Sequence, residues 1–214
     1  MTSSAPDLID ELAGVRAGGS LDDLRRRRPV TRDQLQASSD ALFAPVDDAG
    51  FPLAERLLIA AFATRLTADD ATAQRYAALA RAADPAGAEI VLAEAEAAAT
   101  PGPFGAYAEA GLRSEGAEGP RYSPSASVAE TLGQRVAVAL AHAQLLVSRP
   151  REASSPAIDR LLGAGWSADS IVTLSQLVAF LAFQQRVAAG LRVLAETGIV
   201  SGTHAGSDTA GAAA

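Results

Sequence analysis

His142 and Arg135 are the first residues in this sequence that could do chemistry together. They lie two helical turns apart in an apolar stretch, so a helix would carry both on one side. A buried imidazole beside a guanidinium would make a polar site. A histidine on an apolar helix also has the plainer role of a core residue with satisfied hydrogen bonds. The other histidine, His204, sits far along the chain in a tail of Gly, Ser, Thr and Ala. Arg25, Arg26, Arg27 and Arg28 could grip a phosphate. Following Asp22 and Asp23, they read more simply as cations that complement a helix dipole and pair at the surface.

Composition excludes much else. The 214 residues include no cysteine, and all 18 basic residues are arginine. Thiol nucleophiles, disulfides and cysteine–zinc sites are therefore absent, as is any lysine Schiff base. With two separated histidines and no cluster of carboxylates, no metal and no other cofactor is expected. A net charge of −7 argues against nucleic-acid binding, which needs a basic surface. The first seven residues lack the basic and apolar regions of a secretory signal. The apolar stretch Ile171 to Phe183 is shorter than the roughly 20 residues that span a bilayer. A soluble, cytoplasmic protein without membrane association is the expectation.

The elements that would position these residues are all helical. Alanine supplies much of the apolar fraction, and it favours closely packed helices over a sheet. The pattern predicts helices over Pro6–Val15, from Ser20 to a stop at Pro29, and from Thr31 to Phe43. Further helices are expected from Pro52 to Leu66, after a fresh cap at Thr67-Ala-Asp-Asp70, and over Ala86–Ala98 and Phe104–Leu112. Arg113 to Ser127 is the longest internal loop. One long buried helix is expected over Ser127–Val147, then a helix capped by Ser155, and a last one from Ser167 to Glu196 with Trp166 and Ile171 as a hydrophobic staple. Gln176, Gln184, Gln185 and Arg186 on that last helix suit an oligomer interface. An echo links the helix opened by Arg56 with the one opened by Arg135, which suggests two helical repeats. The expected division is an N-terminal extension (1–50), a helical domain (51–197, with repeats 51–112 and 127–197) and a flexible tail (198–214).

Several segments together resemble the carboxymuconolactone decarboxylase and alkylhydroperoxidase superfamily, in particular its peroxidase-related members with a long N-terminal extension. They are Asp7-Leu-Ile-Asp-Glu-Leu-Ala-Gly-Val15 with Leu24-Arg25 and Arg28-Pro29, Leu42-Phe43-Ala-Pro45 leading to Leu53-Ala-Glu55-Arg56, and Gly163-Ala-Gly-Trp-Ser167 running into the last helix. The resemblance implies an all-α bundle of repeated helical units, assembled as a homo-oligomer: a trimer or hexamer, with a dimer as the smaller option. Peroxidases of that family carry a Glu and then C-x-x-C-x-x-x-H. Here Glu55 matches the Glu, while Thr67, Asp70 and Gln74 stand where the two cysteines and the histidine would be. A thiolate beside a base is what the family reaction needs, so the resemblance implies the fold and denies peroxidase activity.

Two functions stay open. One is a non-catalytic, structural or small-molecule-binding oligomer. The other is a thiol-independent acid–base enzyme, decarboxylase- or isomerase-like, acting on a small organic substrate. It would use Glu55, Tyr76 and His142, and it requires those three side chains to converge on one pocket. Glu55 could equally be a carboxylate favoured by a helix's first turn, Tyr76 a core aromatic, and Thr67 with Asp70 a helix cap.

Overall fold

The computed structural model describes residues 7–197, and among these the chain is all-α, with ten α-helices and no strand. Pro6, His204 and the expected tail over 198–214 lie outside the described residues. The chain divides into two compact units. One comprises the residues up to Ala37 and from Arg186 onward, the other Ser38–Gln185. Their boundaries fall within helices, whereas the sequence pattern placed divisions at 50 and 197.

The first unit contains α1 (Leu8–Ala13), α2 (Ser20–Arg26) and the start of α3 (Pro29–Phe43). Pro29 opens α3 where the sequence pattern had it stopping the previous helix. Its missing N–H and fixed φ suit a first turn. Asp7 caps α1 by accepting from the Asp10 N–H at 2.9 Å. Arg25, expected at the surface, is buried. Its guanidinium pairs with Asp7 and Asp10, while Arg32 reaches Asp7 at 2.7 Å, Asp10 at 2.6 Å and Asp22 at 3.3 Å. Arg26 adds a pair to Asp22 at 2.7 Å. The three segments are thus joined by a shared lattice of charge-assisted hydrogen bonds.

The second unit is built around α4 (Leu53–Thr67). Residues 57–64 of this helix are all buried, because it is apolar on every side and must sit at the centre. It packs against α5 (Ala71–Ala83), α6 (Pro85–Ala98) and α8 (Gln134–Ser148). Asp70, not Thr67, caps α5, accepting from the Ala73 N–H at 2.9 Å, and Asp84 caps α6. The segment expected as a helix over Phe104–Leu112 is instead irregular up to Glu109, with a 3-10 turn over Ala110–Glu115 and a single antiparallel bridge between Gly105 and Ala117. The expected long helix 127–147 is two: α7 (Ala126–Leu132) and α8, separated by Gly133 at φ +84°. That conformation suits glycine and stops a helix. α9 (Ser155–Gly163) is preceded by Ser154, so Ser155 is inside the helix and not its cap.

The last helix, α10 (Ala168–Thr197), is 30 residues long, and the Ser170 N–H donates to the Ser167 hydroxyl at 3.2 Å, as a cap there requires. Taken whole, α10 is long and apolar enough to cross a bilayer, unlike the stretch 171–183 alone. Its residues Leu174, Leu177, Val178 and Leu181 are packed in the apolar core with Leu57, Ile59, Phe62, Leu140 and Trp166. Gln184 and Gln185 correct the interface reading, since both are buried within this unit. Gln184 accepts from the Tyr76 hydroxyl at 3.0 Å, and Gln185 donates to the Thr64 carbonyl and to Asp70.

Candidate functional site

Each candidate proton-transfer group stands in different surroundings. Glu55, in the first turn of α4, is half-buried and accepts from Arg135 Nε at 3.0 Å. Arg135 also donates to the carbonyls of Gly165 (3.0 Å) and Gly50 (2.6 Å), and its guanidinium lies 4.0 Å from the centre of the Trp166 ring. The indole N–H returns a hydrogen bond to the Arg135 carbonyl at 3.0 Å. Glu55 is therefore a strut that fixes a guanidinium joining the starts of α4, α8 and α10. Arg56, next to it, faces the other way and donates to the carbonyls of Phe51 and Leu42, both at 2.7 Å. Each of the two arginines that suggested a repeat thus lies over an aromatic ring, Arg56 over Phe51 and Arg135 over Trp166.

Tyr76 is enclosed in the core on α5, stacked at 5.0 Å on Phe43, and burial pushes its phenol well above the ordinary tyrosine range. It cannot ionise near neutral pH. Asp70 shares the polar seam beneath it, through Gln185 at 3.2 Å. Three buried polar atoms on α5 and α10 have no hydrogen-bond partner: Thr72 Oγ1, Gln184 Nε2 and Gln185 Oε1. Thr67 and Gln74 are exposed.

His142 is the candidate that meets open space. It is buried on α8 and lines a cleft of about 570 Å³ bounded by α7, α8, α9 and the strap of residues 121–125. Apolar walls come from Ala129, Ala137, Val138, Ala141, Leu145 and Ala157, and polar groups from Gln134, His142, Gln144 and three arginines. Neither Glu55 nor Tyr76 lines this cleft, so the structure does not gather the three groups there. Burial, helped by the positive charge of Arg160, holds the imidazole below its ordinary value and leaves it neutral at pH 7. His142 Nε2 is 3.5 Å from the Ser175 hydroxyl, whose proton goes to the Ile171 carbonyl, and Nδ1 is buried without a partner.

A latch holds the strap wall in place. Arg149, fully buried at the end of α8, donates to the Gly119 carbonyl at 2.6 Å and to both oxygens of Glu152. Arg121 on the strap pairs with the same carboxylate. Hydrogen bonds from Arg149 and then Arg121 hold Glu152 down to about 2. Tyr122 anchors the strap further by donating to Glu94 at 2.6 Å. The spacing Arg149–Glu152 was readable as a helical-turn pair, but nothing local in the sequence linked it to Arg121 or singled out Arg160.

Fold and cleft together define an all-α, cysteine-free protein with a cavity at α7–α9 that three arginines line. Comparison with protein-family models, with curated proteins and with solved structures returns no match for the chain.

Proposed function

We propose that this chain binds a small organic molecule in the cleft beside His142, as a cysteine-free relative of the carboxymuconolactone decarboxylase and alkylhydroperoxidase superfamily without peroxidase chemistry. The cleft carries the reading: its volume lies within the roughly 300–1,000 Å³ usual for small-molecule sites, and apolar walls surround a few converging polar groups. The superfamily assignment rests on the residue patterns around Glu55 and Trp166 and on the all-α class. The acid–base alternative is weaker, because His142 alone of the three candidate groups lines the cleft. Cytoplasmic residence and homo-oligomer formation belong to the same proposal, the latter supported by Ile158, Leu162, Val172 and Phe183 being exposed on α9 and α10.

Native mass spectrometry of the purified chain and thermal-shift screening against small organic acids, alcohols and amines test the binding reading. Saturable binding that disappears in Ala141→Phe, a variant that fills the cleft and whose folding is checked by circular dichroism, is the expected result. Binding indifferent to that substitution, or no saturable binding at all, would overturn it. Light scattering reads the oligomeric state.

A further inference from the structure

We infer that the cleft takes an organic monoanion, a carboxylic acid with an apolar body, whose carboxylate is held by Arg160. This rests on the binding reading above and names its ligand class. Among the described residues lining the cleft there are three arginines and no aspartate or glutamate. Two of the arginines are already engaged: Arg149 and Arg121 share Glu152. Arg160, on α9, lines the same cavity, and no carboxylate among the described residues lies within ion-pair distance of it.

An unpaired guanidinium at the rim of a partly apolar cavity attracts anions, and its planar fork suits a carboxylate. The positive field reaches inside, where it helps keep His142 unprotonated. A cationic ligand would meet that same field. The remaining polar groups, among them Ser123, Ser125, Gln134, Gln144 and His142, offer hydrogen bonds without a full charge, and the alanine, valine and leucine walls fit a hydrocarbon body.

Octanoate, 1-octanol and octylamine share one chain and differ in head group, so calorimetric titration of the full chain with each separates charge from burial. Octanoate should bind at least about tenfold more tightly than 1-octanol, with octylamine weakest. Arg160→Gln, at an exposed position, should abolish that preference, so that octanoate binds the variant no more tightly than 1-octanol does. Equal binding of octanoate and 1-octanol, both lost in Ala141→Phe, would overturn the anion inference while the cleft reading stands. A preference for octanoate that survives Arg160→Gln would overturn the assignment to Arg160. No binding of any of the three, or binding unaffected by Ala141→Phe, would overturn both readings.

Discussion

Removing the Arg135 guanidinium should cost more than removing its carboxylate partner. Arg135→Met loses three hydrogen bonds and the stacking on Trp166, and it leaves Glu55 half-buried without its cation. A loss of about 3 kcal/mol follows from the usual worth of charged hydrogen bonds and cation–π contacts. Glu55→Gln keeps an acceptor for Arg135 and should cost about 1 kcal/mol. Urea denaturation checks the order, and equal or reversed losses would show that Glu55 does more than brace Arg135. His142 makes a second prediction. Its folded-state value lies below the ordinary 6.5, so the full stability of the neutral form is present above that pH. That contribution is lost as pH falls below 6.5 and the unfolded chain takes up the proton first. Arg160 is the charge that acts on the ring, and the Ser175 hydroxyl lies 3.5 Å from its Nε2. In His142→Gln the decline of the urea midpoint between about pH 6.5 and 5 should flatten, and an unchanged slope would exclude His142 as its source. Little of this was legible beforehand. The sequence marked Glu55 and His142 as singular, but the partner of Glu55 lies 80 residues away, and local spacing carries no information about a contact at that separation.

At the scale of elements, the sequence spoke clearly where one residue governs a terminus. Ser167 before a long apolar run starts a helix, and so does Asp70 at the end of the expected Thr67–Asp70 cap segment, because a short polar side chain satisfies an otherwise orphan N–H. It was silent at Gly133, where apolar periodicity continues across a break that only the backbone angle reveals. It also misjudged the arginine run, since the partners of Arg25 come from α1 and its N-cap. That cluster should govern the first three helices. Asp10 is buried between Arg25 and Arg32, so Asp10→Asn removes charge compensation from two guanidinium groups at once. Breaking one side of a buried ion-pair network costs about 3–5 kcal/mol, and amide hydrogen exchange over residues 8–36 should accelerate accordingly. Exchange unchanged from the parent would show that the apolar contacts of Ile9, Leu12, Leu21 and Leu35 suffice. The acid side follows the same logic. Burial raises Asp7, but hydrogen bonds from Arg25, the Asp10 backbone and Arg32 leave it lowered, and Arg26 with the Gly18 N–H lowers Asp22. Their contribution is present above the ordinary 3.8 and vanishes as pH falls through the depressed values.

For the molecule as a whole, the absence of cysteine sets a firm expectation. Purified protein freed of metal and haem should not turn over an organic hydroperoxide, and a rate proportional to protein concentration would contradict that. The all-α class was readable from alanine content and helix caps, because those features act locally. The cleft was not, because its walls come from a strap, two short helices and one long one that only the folded chain brings together. Trp166 has a practical consequence. It is the single tryptophan, shielded from solvent, edge-on to Phe51 at 4.8 Å and covered by the Arg135 guanidinium. Tryptophan emission, excited selectively over the three tyrosines, is therefore a one-fluorophore signal placed at the meeting point of α4, α8 and α10. A red shift in emission would report the loosening of that joint, and no label would have to be introduced to see it.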